Sequence, residues 1–158
     1  MFKKIKKNNI KIAVIGLGYV GLPLLEEFTK KFNCIGYDHD KIRIDELSSS
    51  YDRTNQIKKQ KLKKLNFTRD LKKIKNCNIF IVTVPTPITK SNKPDLKHLI
   101  NATKTLSTIL KKNDLIIYES TVYPGCVENI CANIIEKNTV LKLNTDFFLG
   151  YSPERISP

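Results

Sequence analysis

Gly16, Gly18 and Gly21 stand in a G-x-G-x-x-G spacing directly after Ile10 to Ile15, a β-branched and almost unbroken apolar run. Such a run suits a strand buried on both faces, and it stops abruptly at Gly16. The next stretch, Tyr19 to about Lys31, reads as a helix with Leu22, Leu25 and Phe28 on one face. Pro23 falls early enough in it that its missing N–H costs little. Strand, glycine turn and helix together raise the spacing above a chance match, because glycine turns by themselves end many strands.

The turn has the makings of a phosphate site. Gly16 permits the tight turn, Gly18 lets the backbone come close to a pyrophosphate, and Gly21 lets the helix pack against the strand. N–H groups at the helix start, from Tyr19 and Val20 onward, then face the anion. The same logic asks for an acidic residue roughly 20 positions on, at the tip of a second strand. Asn33 to Asp38 supplies a short strand ending in a carboxylate. There Asp38 would accept hydrogen bonds from the ribose hydroxyls of an adenine dinucleotide and repel a 2′-phosphate, which favours NAD over NADP. The plainer alternative makes Asp38 and Asp40 turn or capping residues before a helix starting near Lys41.

Composition narrows the classes further. At 158 residues the chain is one domain's worth and needs no disulfide staples. Cys34, Cys77, Cys126 and Cys131 lack the paired C-x-x-C spacing of zinc or redox sites, so no metal is expected and the thiols read as reduced, in a cytoplasmic protein. No secretory signal or long apolar span suggests membrane insertion. A net charge of +13, from 28 basic and 15 acidic residues, would suit an anionic partner. However, the lysines fall in scattered clusters at 3–7, 58–64 and 72–75 without interleaved aromatics, which argues against a nucleic-acid platform.

The rest of the chain alternates strands with helices. After a basic lead-in over residues 1–9 and the first two strands, Lys41 to Leu47 reads as a helix with Ile42, Ile44 and Leu47 as its apolar positions. Ser48 to Ser50 breaks it, Tyr51 to Gln56 reads as an exposed loop, and Ile57 to Leu65 as a surface helix. Asn66 to Thr68 is a short strand candidate, followed by a helical turn over Asp70 to Lys75. Asn78 to Val84 is a second fully apolar run, stopped by Pro85-Thr86-Pro87. Asp95 to Lys112 is an amphipathic helix, Leu115 to Tyr118 a buried strand, Cys126 to Lys137 a helix, and Phe147 to Gly150 a last strand. This pattern predicts an α/β fold of Rossmann type, a doubly wound parallel sheet with helices on both faces.

In such a sheet the strand ends gather the chemistry: Gly16 to Gly21, Asp38, Pro85 to Pro87, Ser120-Thr121 and Ser152 to Arg155. Thr86 and Thr121 can hydrogen-bond a dinucleotide, and Arg43 can lie against its adenine or ribose. Taken singly, Thr86 also reads as a turn residue, Thr121 as a helix cap and Arg43 as a solvated helix side chain.

Four segments in order, Gly16 to Leu24, Val84 to Pro87, Tyr118 to Gly125 and Gly150 to Ile156, resemble the UDP-glucose/GDP-mannose dehydrogenase family. Within it, they are most similar to the UDP-N-acetylhexosamine 6-dehydrogenases of surface-polysaccharide synthesis. The resemblance implies that Val20, Asp38, Arg43, Thr86 and Thr121 contact NAD. It also implies that Glu154 assists the acid–base and hydrolytic steps and that Arg155 reaches a UDP-sugar substrate. The family oxidises the sugar C6 alcohol twice, through an aldehyde and a cysteine thioester, and forms a homodimer. Its catalytic cysteine and lysine fall beyond the region matched here, and Cys126 and Cys131 sit in no nucleophile motif. The expectation is therefore an NAD-binding portion, residues 1–158, inactive alone and needing a complementary C-terminal chain. The alternative is a non-catalytic NAD-binding remnant or regulatory module that docks to another chain.

Overall fold

The computed structural model describes residues 9–89 and 93–153. The basic lead-in, Asn9 apart, lies outside the described residues. Among the described residues six strands form one sheet: β1 (Lys11–Ile15), β2 (Asn33–Tyr37), β3 (Phe67–Thr68), β4 (Ile79–Val82), β5 (Asp114–Tyr118) and β6 (Phe147–Tyr151), in the spatial order β3-β2-β1-β4-β5-β6. The sheet is parallel with helices on both faces, the doubly wound arrangement that the alternating pattern predicts. Contacts divide the chain into residues 1–80 and 81–158.

In the first unit β1 pairs in parallel with β2, Ile12 opposite Cys34 and Ile15 opposite Tyr37, and β2 pairs with the two-residue β3. Ile12, Ala13, Val14 and Ile15 are all buried, as the apolar run requires. Helix α1 covers Gly21–Thr29, shorter at both ends than the sequence pattern suggests. Leu22 and Leu25 are buried, whereas Phe28 is half-buried with its ring tilted against Phe32. Helix α2 (Lys41–Ser48) starts at Asp40, whose carboxylate accepts from the Ile42 amide at 2.9 Å. The capping alternative therefore holds for Asp40.

Two expectations fail in this region. Ile42 is 65% exposed, and the inward face of α2 carries Arg43, Ile44 and Leu47 instead. At 3.6 residues per turn Ile42 and Ile44 point to opposite sides, so one of the two had to face solvent. The stretch 51–56 is not simply an exposed loop, because Asp52 within it is buried. Helix α3 (Lys59–Leu62) is a single turn that buries Leu62, and α4 (Leu71–Ile74) is capped by Asp70.

In the second unit α5 (Lys97–Ser107) buries Leu99, Thr103 and Leu106, and β5 and β6 pair in parallel from Asp114↔Phe147 to Tyr118↔Tyr151. The buried Tyr118 hydroxyl meets Thr103 Oγ1 at 2.9 Å, which gives the only polar atom of that side chain a partner. The helix expected over 126–137 is instead a π-helical turn, Val127–Cys131, that continues as α6 (Ala132–Asn138). All four cysteines are buried.

Candidate dinucleotide-binding site

The turn after β1 is built from three sides. Gly16 has φ +92°, a conformation that side chains rarely adopt, so glycine is required there. Leu17 next to it is buried, and both of its backbone polar groups are held. Its N–H donates to Asp38 Oδ2 at 2.8 Å, and its carbonyl accepts from Arg43 Nε at 2.7 Å. Space for the Leu17 side chain comes from Gly36 on β2. A Cβ at Gly36 would stand 2.7 Å from Leu25 Cδ2 and 2.8 Å from Leu17 Cδ2.

Gly18 is different. A Cβ there would meet nothing within 4 Å, and its φ lies outside the positive range, so the fold itself does not demand glycine. Beyond it the chain enters α1, where the Leu22 amide donates to the Gly18 carbonyl at 3.1 Å. Tyr19 is 47% exposed, Val20 is half-buried, and the first turn of α1 carries no acidic residue to compete with an anion. Gly21, buried at the start of the helix, completes the motif.

Asp38 accepts from the Leu17 amide on one oxygen and from the Asp40 amide on the other, at 3.0 Å. A carboxylate has about four lone-pair sites, so acceptor capacity remains for ribose hydroxyls. Arg43 is 5% exposed, which rules out the solvated helix side chain of the alternative reading. Its Nη2 donates to Asp52 Oδ1 at 2.8 Å. Its Nη1 has no hydrogen-bond acceptor among the described residues and lies 3.7 Å from Glu46 Oε2.

Asp52, which holds Arg43, is the residue of this cluster that sequence reasoning missed. Burial by itself would raise its pKa, but hydrogen bonds from Thr54, Arg43 and the amides of Ile57 and Thr54 outweigh that and hold it at about 2. The available signal was Asp52 two residues before Thr54, an Asx-turn pattern, though nothing in the pattern tied it to Arg43.

In the second unit the structure brings Thr86 and Thr121 together. The Thr86 hydroxyl donates to the Thr121 carbonyl at 2.7 Å, and the buried Ser120 hydroxyl donates to the Val84 carbonyl at 2.7 Å. These bonds lace the segment after β4 to the segment after β5. Ser152 joins them through its amide, which donates to the Tyr118 carbonyl at 3.0 Å. Thr86 thus uses its proton within the protein and keeps its oxygen lone pairs. Glu154 and Arg155 lie outside the described residues. Among the described residues no group of three or more His, Cys, Asp or Glu side chains is placed to hold a metal ion, and no helix is long and apolar enough to cross a membrane.

A parallel sheet in this strand order, with a glycine turn after β1 and a carboxylate after β2 bonded to that turn, defines a Rossmann-type dinucleotide-binding domain. Residues 10–158 match the model of the UDP-glucose/GDP-mannose dehydrogenase family, NAD binding domain, so the chain belongs to that family and its cofactor is NAD. It is 50% identical over 153 residues to UDP-N-acetyl-D-glucosamine 6-dehydrogenase of Pseudomonas aeruginosa, covering 95% of this chain and 36% of that protein. Against the Salmonella typhi protein of the same name the figures are 47% over 154 residues, 96% and 36%. Among solved structures, UDP-D-ManNAc dehydrogenase from Pyrococcus horikoshii superposes with a TM-score of 0.86 at 34% identity, over 94% of this chain and 37% of that one. The chain therefore spans little more than a third of the length of these relatives.

Proposed function

We propose that this chain holds NAD for the oxidation of a UDP-N-acetylhexosamine at C6, from alcohol through aldehyde to the uronic acid. The observation that carries the reading is Gly18, a glycine that the free fold does not need and that a closely approaching pyrophosphate does. Gly16, Gly18, Tyr19, Val20 and Gly21 form the pyrophosphate turn, and Asp38 accepts from the adenosine ribose. Arg43 holds the Leu17 carbonyl of the turn, and Arg43, Thr86 and Thr121 are the further residues that contact NAD in this reading. Bound NAD supplies the hydride acceptor for both oxidations. The identity to two UDP-N-acetyl-D-glucosamine 6-dehydrogenases supports the choice of sugar. In the same reading Arg155 binds the UDP-sugar, Glu154 assists proton transfer, and the working protein is a cytoplasmic homodimer.

A thioester step needs an accessible thiolate. Cys34, Cys77, Cys126 and Cys131 are all buried, and burial pushes the thiols of Cys34, Cys126 and Cys131 up. These four are core residues, so the nucleophile comes from elsewhere in the working enzyme.

The test is a fluorescence titration with NADH. The chain binds NADH, and Asp38→Ala weakens binding about tenfold or more, as expected for hydrogen bonds to a charged acceptor. A wild-type chain that shows no binding at low salt and neutral pH refutes the cofactor assignment. Mixed with NAD and UDP-N-acetylglucosamine, the chain alone forms no uronic acid, because the thioester step lacks its nucleophile; uronic acid formed by it would refute the assignment of its thiols.

A further inference from the structure

Asp52 sits in the loop after α2, where nothing in the motif calls for an acidic residue. It is 7% exposed, and its two oxygens accept five hydrogen bonds. Oδ1 takes Arg43 Nη2 at 2.8 Å, the Thr54 amide at 3.0 Å and the Thr54 hydroxyl at 2.6 Å. Oδ2 takes the amides of Gln56 at 2.8 Å and Ile57 at 3.0 Å. A carboxylate bonded this fully by its own loop is a fixed anchor. From it the guanidinium of Arg43 reaches back to the Leu17 carbonyl at 2.7 Å, so the plane of that guanidinium is pinned at two points.

The consequence lies in the peptide that follows. The Leu17 carbonyl and the Gly18 N–H belong to one planar trans unit, so they point in opposite directions. Holding the carbonyl toward Arg43 turns the Gly18 N–H away from it. The residue after that peptide is a glycine, whose missing Cβ leaves its backbone angles less restricted than those of any other residue, although its carbonyl accepts from the Leu22 amide at 3.1 Å.

We propose that Asp52 is a positioning residue for the cofactor: through Arg43 it fixes the Leu17–Gly18 peptide, so that the Gly18 N–H is already aimed at the pyrophosphate before NAD arrives. Affinity then gains from preorganisation, because the turn does not have to be ordered on binding. The proposal rests on the reading that this turn holds the pyrophosphate.

The experiment measures NADH affinity of wild type, Asp52→Asn, Arg43→Lys and the double variant, each well below its own melting temperature so that unfolding contributes nothing. Asp52→Asn is expected to weaken NADH about tenfold, the scale of one charged hydrogen bond. Lysine has no fork to span Leu17 and Asp52 together, so Arg43→Lys is expected to weaken NADH similarly, and Asp52→Asn to add less than about twofold in that background. A loss of general rigidity would instead give additive effects, which would overturn the proposal. So would an Asp52→Asn variant within twofold of wild type. Should Asp52→Asn fail to fold, Thr54→Val removes one donor from Asp52 and is expected to weaken NADH about two- to fivefold; no change overturns the proposal. A wild-type chain that binds no NADH overturns the cofactor reading itself, whereas wild-type binding with unaffected variants overturns the role of Asp52 alone.

Discussion

Replacing Gly18 by alanine should move stability and cofactor binding in opposite directions. The added methyl meets nothing within 4 Å in the free protein, and the backbone there does not occupy the positive-φ region. Alanine then restricts the unfolded chain more than the folded one and stabilises the fold by about 0.4–1 kcal/mol. For a domain of this size each kcal/mol raises Tm by about 2–4 °C, so the free variant melts about 1–4 °C higher. With NADH the order reverses. At a concentration of about 100 Kd, wild type gains about 2.7 kcal/mol, or roughly 5–11 °C. Overlap of a methyl with a closely packed group costs about 1–3 kcal/mol, and at the upper limit affinity falls roughly 100-fold. The same NADH then adds only about 0.4 kcal/mol, a shift of roughly 1 °C. Thermal denaturation with and without NADH, backed by equilibrium titration, reads both quantities. A variant that melts below wild type would show that the fold needs this glycine. A variant with the full NADH response would show that the open space above Gly18 does not belong to the cofactor.

Gly36→Ala should do the reverse, because its methyl would press on the buried ends of Leu25 and Leu17 at 2.7 and 2.8 Å; urea unfolding should show a loss of about 1–3 kcal/mol. Asp52 should make the fold acid-sensitive. Its folded-state pKa of about 2 lies below the ordinary 3.8, so its contribution is fully present above the ordinary value and is lost as pH falls through the folded one. The shift corresponds to about 2.5 kcal/mol, and the stability advantage of wild type over Asp52→Asn should shrink by about 2 kcal/mol of that between pH ~5 and pH ~2 in urea titrations. Tyr118→Phe removes the buried hydroxyl that meets Thr103, which still donates to the Leu99 carbonyl at 2.8 Å, so a loss of only about 1 kcal/mol is expected in the same assay.

Strands were legible because a strand buried on both faces needs an unbroken apolar run, and Ile12 to Ile15 and Ile79 to Val82 have one. Helix ends were less so. Helix α5 stops at Ser107, whereas the apolar periodicity runs on to Leu110, because periodicity records which face is buried and not where backbone bonding ends. That the glycine turn and Asp38 lie side by side was legible, since their spacing follows from the geometry of two adjacent parallel strands, and the Leu17 amide donates to Asp38 at 2.8 Å. Arg43 and Asp52 were not. A charged residue on a helix and an aspartate in a polar loop are ordinarily solvated, and only the course of the loop decides that these two meet at 2.8 Å out of water.

That meeting also bears on how the site is held. Removing one partner of a buried ion pair is costly because it strands the other, so the loop after α2 is tied to its present course as long as Arg43 stays inside. Arg43 in turn stays inside because the Leu17 carbonyl, itself part of the glycine turn, accepts its Nε–H. Loop, helix and turn thus restrain one another through side chains that no apolar pattern reports, and the glycine turn is held by polar groups remote in sequence from its motif.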